Sequence, residues 1–107
     1  MDGKKILLVE DDLFLRDLYV EVLKGEGFTV FTADDGEEGL RLGQDHPDAS
    51  IMLLDIMLPK IHGVDVLKKL KGDQKTAVIP VALFKQIPRL LFPCNIFIIL
   101  IVYKRQV

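Results

Sequence analysis

"KILLVEDDLFLRDLYVEVLKGEG", residues 5–27, changes period partway along. Ile6–Val9 is an unbroken apolar run, the pattern of a strand covered on both faces. From Asp12 onward, Leu15, Leu18, Tyr19, Val22 and Leu23 recur at helical spacing, on one side of a helix. Asp12 is placed to cap its start, and Gly25 and Gly27 to end it. A buried strand feeding an amphipathic helix is the repeating unit of an α/β fold.

The same alternation continues downstream. "FTVFTA" (28–33) carries β-branched and aromatic residues and predicts a second strand. "DDGEEGLRLGQDHP" (34–47) supports a short helix that must stop before Pro47. "SIMLLD" (50–55) predicts a third strand, and "GVDVLKKLKGD" (63–73) a helix with Val64, Leu67 and Leu70 inward. "AVIPVALF" (77–84) predicts a fourth strand, with Pro80 near its beginning, where proline is tolerated. Short connections between alternating elements imply a parallel sheet, right-handed crossovers and helices on both faces, a doubly wound three-layer α/β sandwich.

After Phe84 the pattern is lost. "KQIPRLLFPCNIFIILIVYKRQV" (85–107) holds Pro88 and Pro93, then eight consecutive apolar residues, Ile96–Tyr103, then a basic end. The apolar run falls short of the roughly 18–20 residues of a membrane-spanning helix. It reads either as a buried last strand or as sequence foreign to the fold, from a frameshift or truncated reading frame. An incomplete sheet would leave an unpaired edge, which the tail or a second copy in a homodimer would have to cover.

Bulk properties narrow the function. The 107 residues suit one domain, taken as 1–107, with 1–84 regular and 85–107 divergent. Half are hydrophobic, 28% are charged, and the formal net charge is −2, which gives no basic excess for nucleic acid or an anionic membrane. The single cysteine, Cys94, cannot form an internal disulfide, and no signal peptide is evident at the start, so a cytoplasmic setting is expected.

Chemistry concentrates at two strand ends. The first strand ends in Glu10, Asp11 and Asp12, and the third in Asp55. In a doubly wound sheet, ligands bind outside the carboxyl ends of the strands where strand order reverses. If the first and third strands are neighbours, three or four carboxylates crowd one crevice, raising one another's pKa unless a cation is held there. An all-oxygen set suits Mg²⁺ or another hard divalent ion. For Asp12, helix capping alone is an adequate account. For Asp55 it is not, because Pro59 and Gly63 intervene before the next helix.

"KILLVEDD", "TADDGEEGL", "DASIMLLDIMLPKIHGVDVLKKLK" and "IPVAL", in this order and spacing, resemble the receiver domain of bacterial two-component response regulators. The resemblance covers residues 4–84, about three quarters of the chain. It implies a flavodoxin-like sheet of order 2-1-3-4(-5), with the C-terminal part incomplete here. It implies that Asp55 accepts a phosphoryl group from a sensor histidine kinase or phosphotransfer protein. It also implies Mg²⁺ bound by Asp11, by Glu10 through water, by Asp55 and by the backbone carbonyl of Met57. Pro59 and Gly63 would shape the loop after Asp55. His62, where many relatives carry aspartate, and His46 are expected at the surface.

Two positions depart from the family pattern. A Thr or Ser should end the fourth strand, and Lys85 stands there. A Lys should end the fifth strand; Lys104 follows the apolar run but comes about three residues early and without the helix that should precede it. Metal binding and phosphoryl transfer are expected to survive these changes better than switching. The leading expectation is a phosphoacceptor receiver domain in a phosphorelay, not a conventional enzyme. The alternative is a non-signalling interaction module or degenerate receiver fragment that keeps the fold. A third reading, an aspartyl-phosphate phosphatase, usually needs a second acid at position 57, which is a methionine here.

Overall fold

The computed structural model describes residues 3–85 in full, and Gln86 and residues 97–103 as backbone. The expected elements form in the expected order: β1 (Lys5–Val9), α1 (Leu13–Gly25), β2 (Thr29–Ala33), α2 (Gly36–Asp45), β3 (Ile51–Asp55), α3 (Gly63–Lys71) and β4 (Val81–Gln86). A further strand, β5 (Phe97–Tyr103), completes one five-stranded sheet of order β2-β1-β3-β4-β5. The first four strands pair in parallel, with Ile6 opposite Ile51, Val9 opposite Leu54, and Asp55 opposite Phe84.

The two faces of the sheet are covered unequally. Leu7, Val9, Met52, Leu54, Val81 and Leu83 point into one core, which α3 seals with Val66, Leu67 and Leu70. Here the expected inward set is corrected: Val66 lies inward with Leu67 and Leu70, whereas Val64 is exposed. The residues at 66, 67 and 70 share the i, i+1, i+4 face centred on the sheet, and Val64 lies to its side. On the opposite face α1 packs less completely. Only its Leu15 is buried, while Leu18 is 42% and Val22 58% exposed. Tyr19 meets Phe84 edge-on, with ring centroids 6.4 Å apart. An apolar groove of about 330 Å³ runs between α1 and the strand residues Leu8, Leu53 and Phe84. Among the described residues no second helix stands beside α1 on this face, so a stripe patterned for burial remains half open.

The sheet is not wholly parallel. β5 runs antiparallel to β4, from Val81 opposite Tyr103 to Gln86 opposite Phe97, with an irregularity between Leu83 and Phe84. A parallel return needs a crossover of about a dozen residues or more, usually a helix. Only residues 87–96 are available, and they include Pro88 and Pro93. Residues 97–103 of the apolar run therefore pair as a strand along the β4 edge, and β5 becomes the outer strand of the sheet on that side. β4 also starts later than expected, at Val81, because Thr76, Ala77 and Ile79 close turns onto Asp73 and Thr76. Lys71 fixes that turn by donating to the carbonyls of Ala77 and Ile79 at 3.0 and 2.6 Å. Among the described residues no helix is long and apolar enough to cross a membrane.

Candidate metal and phosphoryl site

The site is built where β1 and β3 end side by side. Pairing in register brings Glu10 and Asp11, just past Val9, against Asp55 at the last position of β3. The N–H of Glu10 donates to the carbonyl of Ala33 at 3.1 Å, and the N–H of Ile56 to that of Phe84 at 3.0 Å. The backbone on both sides of the acids is therefore anchored to neighbouring strands.

Carboxylate oxygens of Glu10, Asp11 and Asp55 all lie within 4.8 Å of one another. Glu10 is 1% and Asp55 7% exposed, whereas Asp11 opens to solvent. Burial pushes the Glu10 carboxyl up to about 9, and the hydrogen bond to Asp55 and the charges of Asp55 and Asp11 add to it. Burial also raises Asp55, with the Asp11 charge contributing, against the hydrogen bonds from Glu10 and from the Met57 N–H that favour its ionised form. The two buried carboxyls titrate as a pair, and burial together with their mutual proximity keeps a proton on that pair above the ordinary carboxylate range.

Short local contacts set the orientation. The Met57 N–H donates to Asp55 Oδ1 at 3.0 Å, and the Asp11 N–H to Glu10 Oε2 at 3.0 Å. Asp12 is not in the cluster; its Oδ1 accepts from the Leu15 N–H at 3.1 Å and caps α1. The cleft, about 270 Å³, is lined by these four acids together with Met57 and Lys85. Its donor set fits a hard divalent cation: three convergent carboxylates, two of them buried, and, among the described residues, no histidine or cysteine ligand beside them.

The loop between Asp55 and α3 is held by close packing. A Cβ on Gly63 would lie 2.3 Å from the Asp55 carbonyl oxygen and 2.8 Å from Ile56 Cα, so only glycine lets α3 begin there. Pro59 lies exposed in that loop, and Ile61 N–H donates to its carbonyl at 2.8 Å. Lys60, which the sequence did not single out, adopts φ 67° and reaches Asp35 at 3.2 Å, tying the loop to the start of α2. A left-handed lysine leaves no sequence signal, because glycine and asparagine are the residues that usually announce one. His62 is exposed, as expected, at the N-cap of α3. His46 is only half-buried at the end of α2, its ring stacked on Phe31 with centroids 4.1 Å apart. Lys104 lies outside the described residues.

Comparison with known proteins places the chain among two-component regulators. The chain is 49% identical over 75 residues to the transcriptional regulatory protein CpxR of Klebsiella pneumoniae, covering 70% of this chain and 32% of that protein. It is 45% identical over 67 residues to the cell cycle transcriptional regulator CtrA of Caulobacter vibrioides, covering 63% of this chain and 29% of that one. The chain thus spans about a third of the length of these curated relatives. Among solved structures, the N-terminal domain of a response regulator receiver protein from Methanoculleus marisnigri superposes with a TM-score of 0.68 at 34% identity, over 74% of this chain and 63% of that one. The receiver domain of the Pseudomonas aeruginosa sensor histidine kinase PA1611, solved with magnesium coordinated in its active-site cleft, shares the fold at a TM-score of 0.72 and 23% identity, over 76% of this chain and 66% of that one. The sequence profile of the response regulator receiver domain matches residues 6–91, and the chain belongs to that family.

Proposed function

We propose that residues 1–107 form one receiver unit in which Asp55 accepts a phosphoryl group from the phosphohistidine of a sensor histidine kinase or phosphotransfer protein. The observation that carries this reading is the convergence of Glu10, Asp11 and Asp55 at the ends of β1 and β3. These three carboxylates and the Met57 carbonyl would hold Mg²⁺. The bound ion would neutralise charge on the transferring phosphoryl oxygens. Met57 fixes the plane of the Asp55 carboxylate by its N–H, so the nucleophile is positioned before the donor arrives. As the Asp55 O–P bond forms, the P–N bond of the phosphohistidine breaks and its electron pair returns to the imidazole. The product is an acyl phosphate, so the protein assists its own modification rather than turning over a substrate. No nucleic-acid contact is assigned to these residues.

Incubation with Mg²⁺ and a small-molecule phosphodonor, followed by intact mass measurement, tests the reading. Wild type should gain one phosphoryl group and Asp55→Asn none. Identical behaviour of the two proteins would refute it.

A second reading, a receiver fold that binds the ion but does not switch, is favoured by two observations: Lys85 at the position the family gives to Thr or Ser, and an antiparallel β5. It predicts modification of Asp55 with no change in the amide NMR shifts of β4 or the groove beside α1.

A further inference from the structure

We infer that Lys85 is a working member of the cleft: its ammonium binds the anionic phosphoryl group on Asp55 and, before that group arrives, opposes the divalent cation. The inference rests on Asp55 being the phosphoacceptor.

Position comes first. Phe84 pairs with Asp55, and its side chain turns to α1, where it meets Tyr19. Lys85 follows at the carboxyl end of β4, one residue past the level of Asp55. There it lines the cleft with Glu10, Asp11, Asp55 and Met57. Its backbone is paired with Ile98 of β5, so the stem starts from sheet rather than from a loose end. Among the described residues it is the only basic side chain lining that cleft.

Chemistry follows from the substitution of charge for a hydroxyl. A serine or threonine here would offer one neutral hydrogen bond. An ammonium offers three donors and a full positive charge, and charge-assisted bonds to phosphoryl oxygens are about twice as strong as neutral ones. The same charge repels a divalent ion seated among the carboxylates. One residue therefore shifts two affinities in opposite directions, which a lysine that is merely solvated cannot do.

The test uses the full chain and two probes, Mg²⁺ alone and beryllium fluoride at saturating Mg²⁺, each followed by amide NMR shifts. In Lys85→Ala, Mg²⁺ should bind about 3- to 10-fold more tightly at low salt, and the gain should shrink as salt screens it. Beryllium fluoride should bind about tenfold more weakly to Lys85→Ala, while Lys85→Arg, which keeps the charge, should stay within about threefold of wild type. Lys85 is exposed, so its variants should give wild-type circular dichroism spectra. Equal affinities of wild type and Lys85→Ala for both probes would overturn the role of Lys85 and leave the phosphoacceptor reading standing. Failure of wild type and every variant to take up beryllium fluoride at Asp55 would overturn both.

Discussion

Glu10 should make the stability of this protein depend on pH in an unusual sense. Its carboxyl is 1% exposed and pushed from 4.5 up to about 9, by burial first and then by Asp55. Without a divalent ion, the folded chain keeps this proton near neutral pH, whereas the unfolded chain has lost it above pH 4.5. The folded state then binds more protons, so stability falls as pH rises. The contribution is complete below about pH 4.5 and is lost progressively up to about pH 9. One whole proton corresponds to about 1.4 kcal/mol per pH unit. Asp55 shares the same proton and the cleft opens to water at Asp11, so we expect a loss of about 1–2 kcal/mol between roughly pH 6 and 8. For a domain of this size that is a fall in Tm of about 5–10 °C. Glu10→Gln removes the titration, keeps an oxygen for the Asp11 N–H, and offers Asp55 an N–H donor that favours its ionised form. Thermal unfolding in EDTA, followed by circular dichroism across that range, should show the fall in wild type and a change below about 2 °C in Glu10→Gln. Millimolar Mg²⁺ should restore wild type most at the alkaline end, since the ion displaces the proton. A wild-type Tm that stays flat in EDTA, or a Glu10→Gln Tm that falls as steeply, would refute the reasoning.

Two further substitutions probe the scaffold behind the site. Gly63→Ala places a Cβ against the backbone of Asp55 and Ile56, where no side chain can swing away. It should cost about 2 kcal/mol in urea unfolding despite the better helix propensity of alanine, and it should move the amide shifts of Asp55 and Met57. Lys71→Met leaves the carbonyls of Ala77 and Ile79 without their charged donor and should cost about 1.5–3 kcal/mol. The exposed Lys68→Met should stay within about 0.5 kcal/mol of wild type, so equal losses from the two would remove the turn from the account.

The order and type of the elements through β4 were legible in the chain, because the signals are local. Ile6–Val9 and Ile51–Leu54 are apolar throughout, as strands covered on both sides must be, and Asp12 and the two glycines Gly25 and Gly27 bracket α1. The acids of the site were legible for the same reason: a carboxylate ending an apolar strand is costly unless something compensates it. What stayed hidden depended on partners distant in sequence. Periodicity alone could not show that β1 and β3 are neighbours; that expectation came with the family resemblance, and the pairing of Val9 with Leu54 bears it out.

By itself, then, the sequence determined a strand–helix alternation with Glu10, Asp11 and Asp55 at strand ends. Only the tertiary structure decided how those ends meet and which faces are covered. Leu18 and Val22 have the spacing of a buried stripe, yet burial needs a partner element, and on that face the described residues supply only α1. Val64 and Val66 are chemically alike, and the axis of α3 over the sheet chose between them. The direction of β5 was set by a connection of ten residues, too short for a parallel return. Local chemistry writes the elements; the pairing between them, paid for in chain entropy, places the carboxylates within reach of one ion.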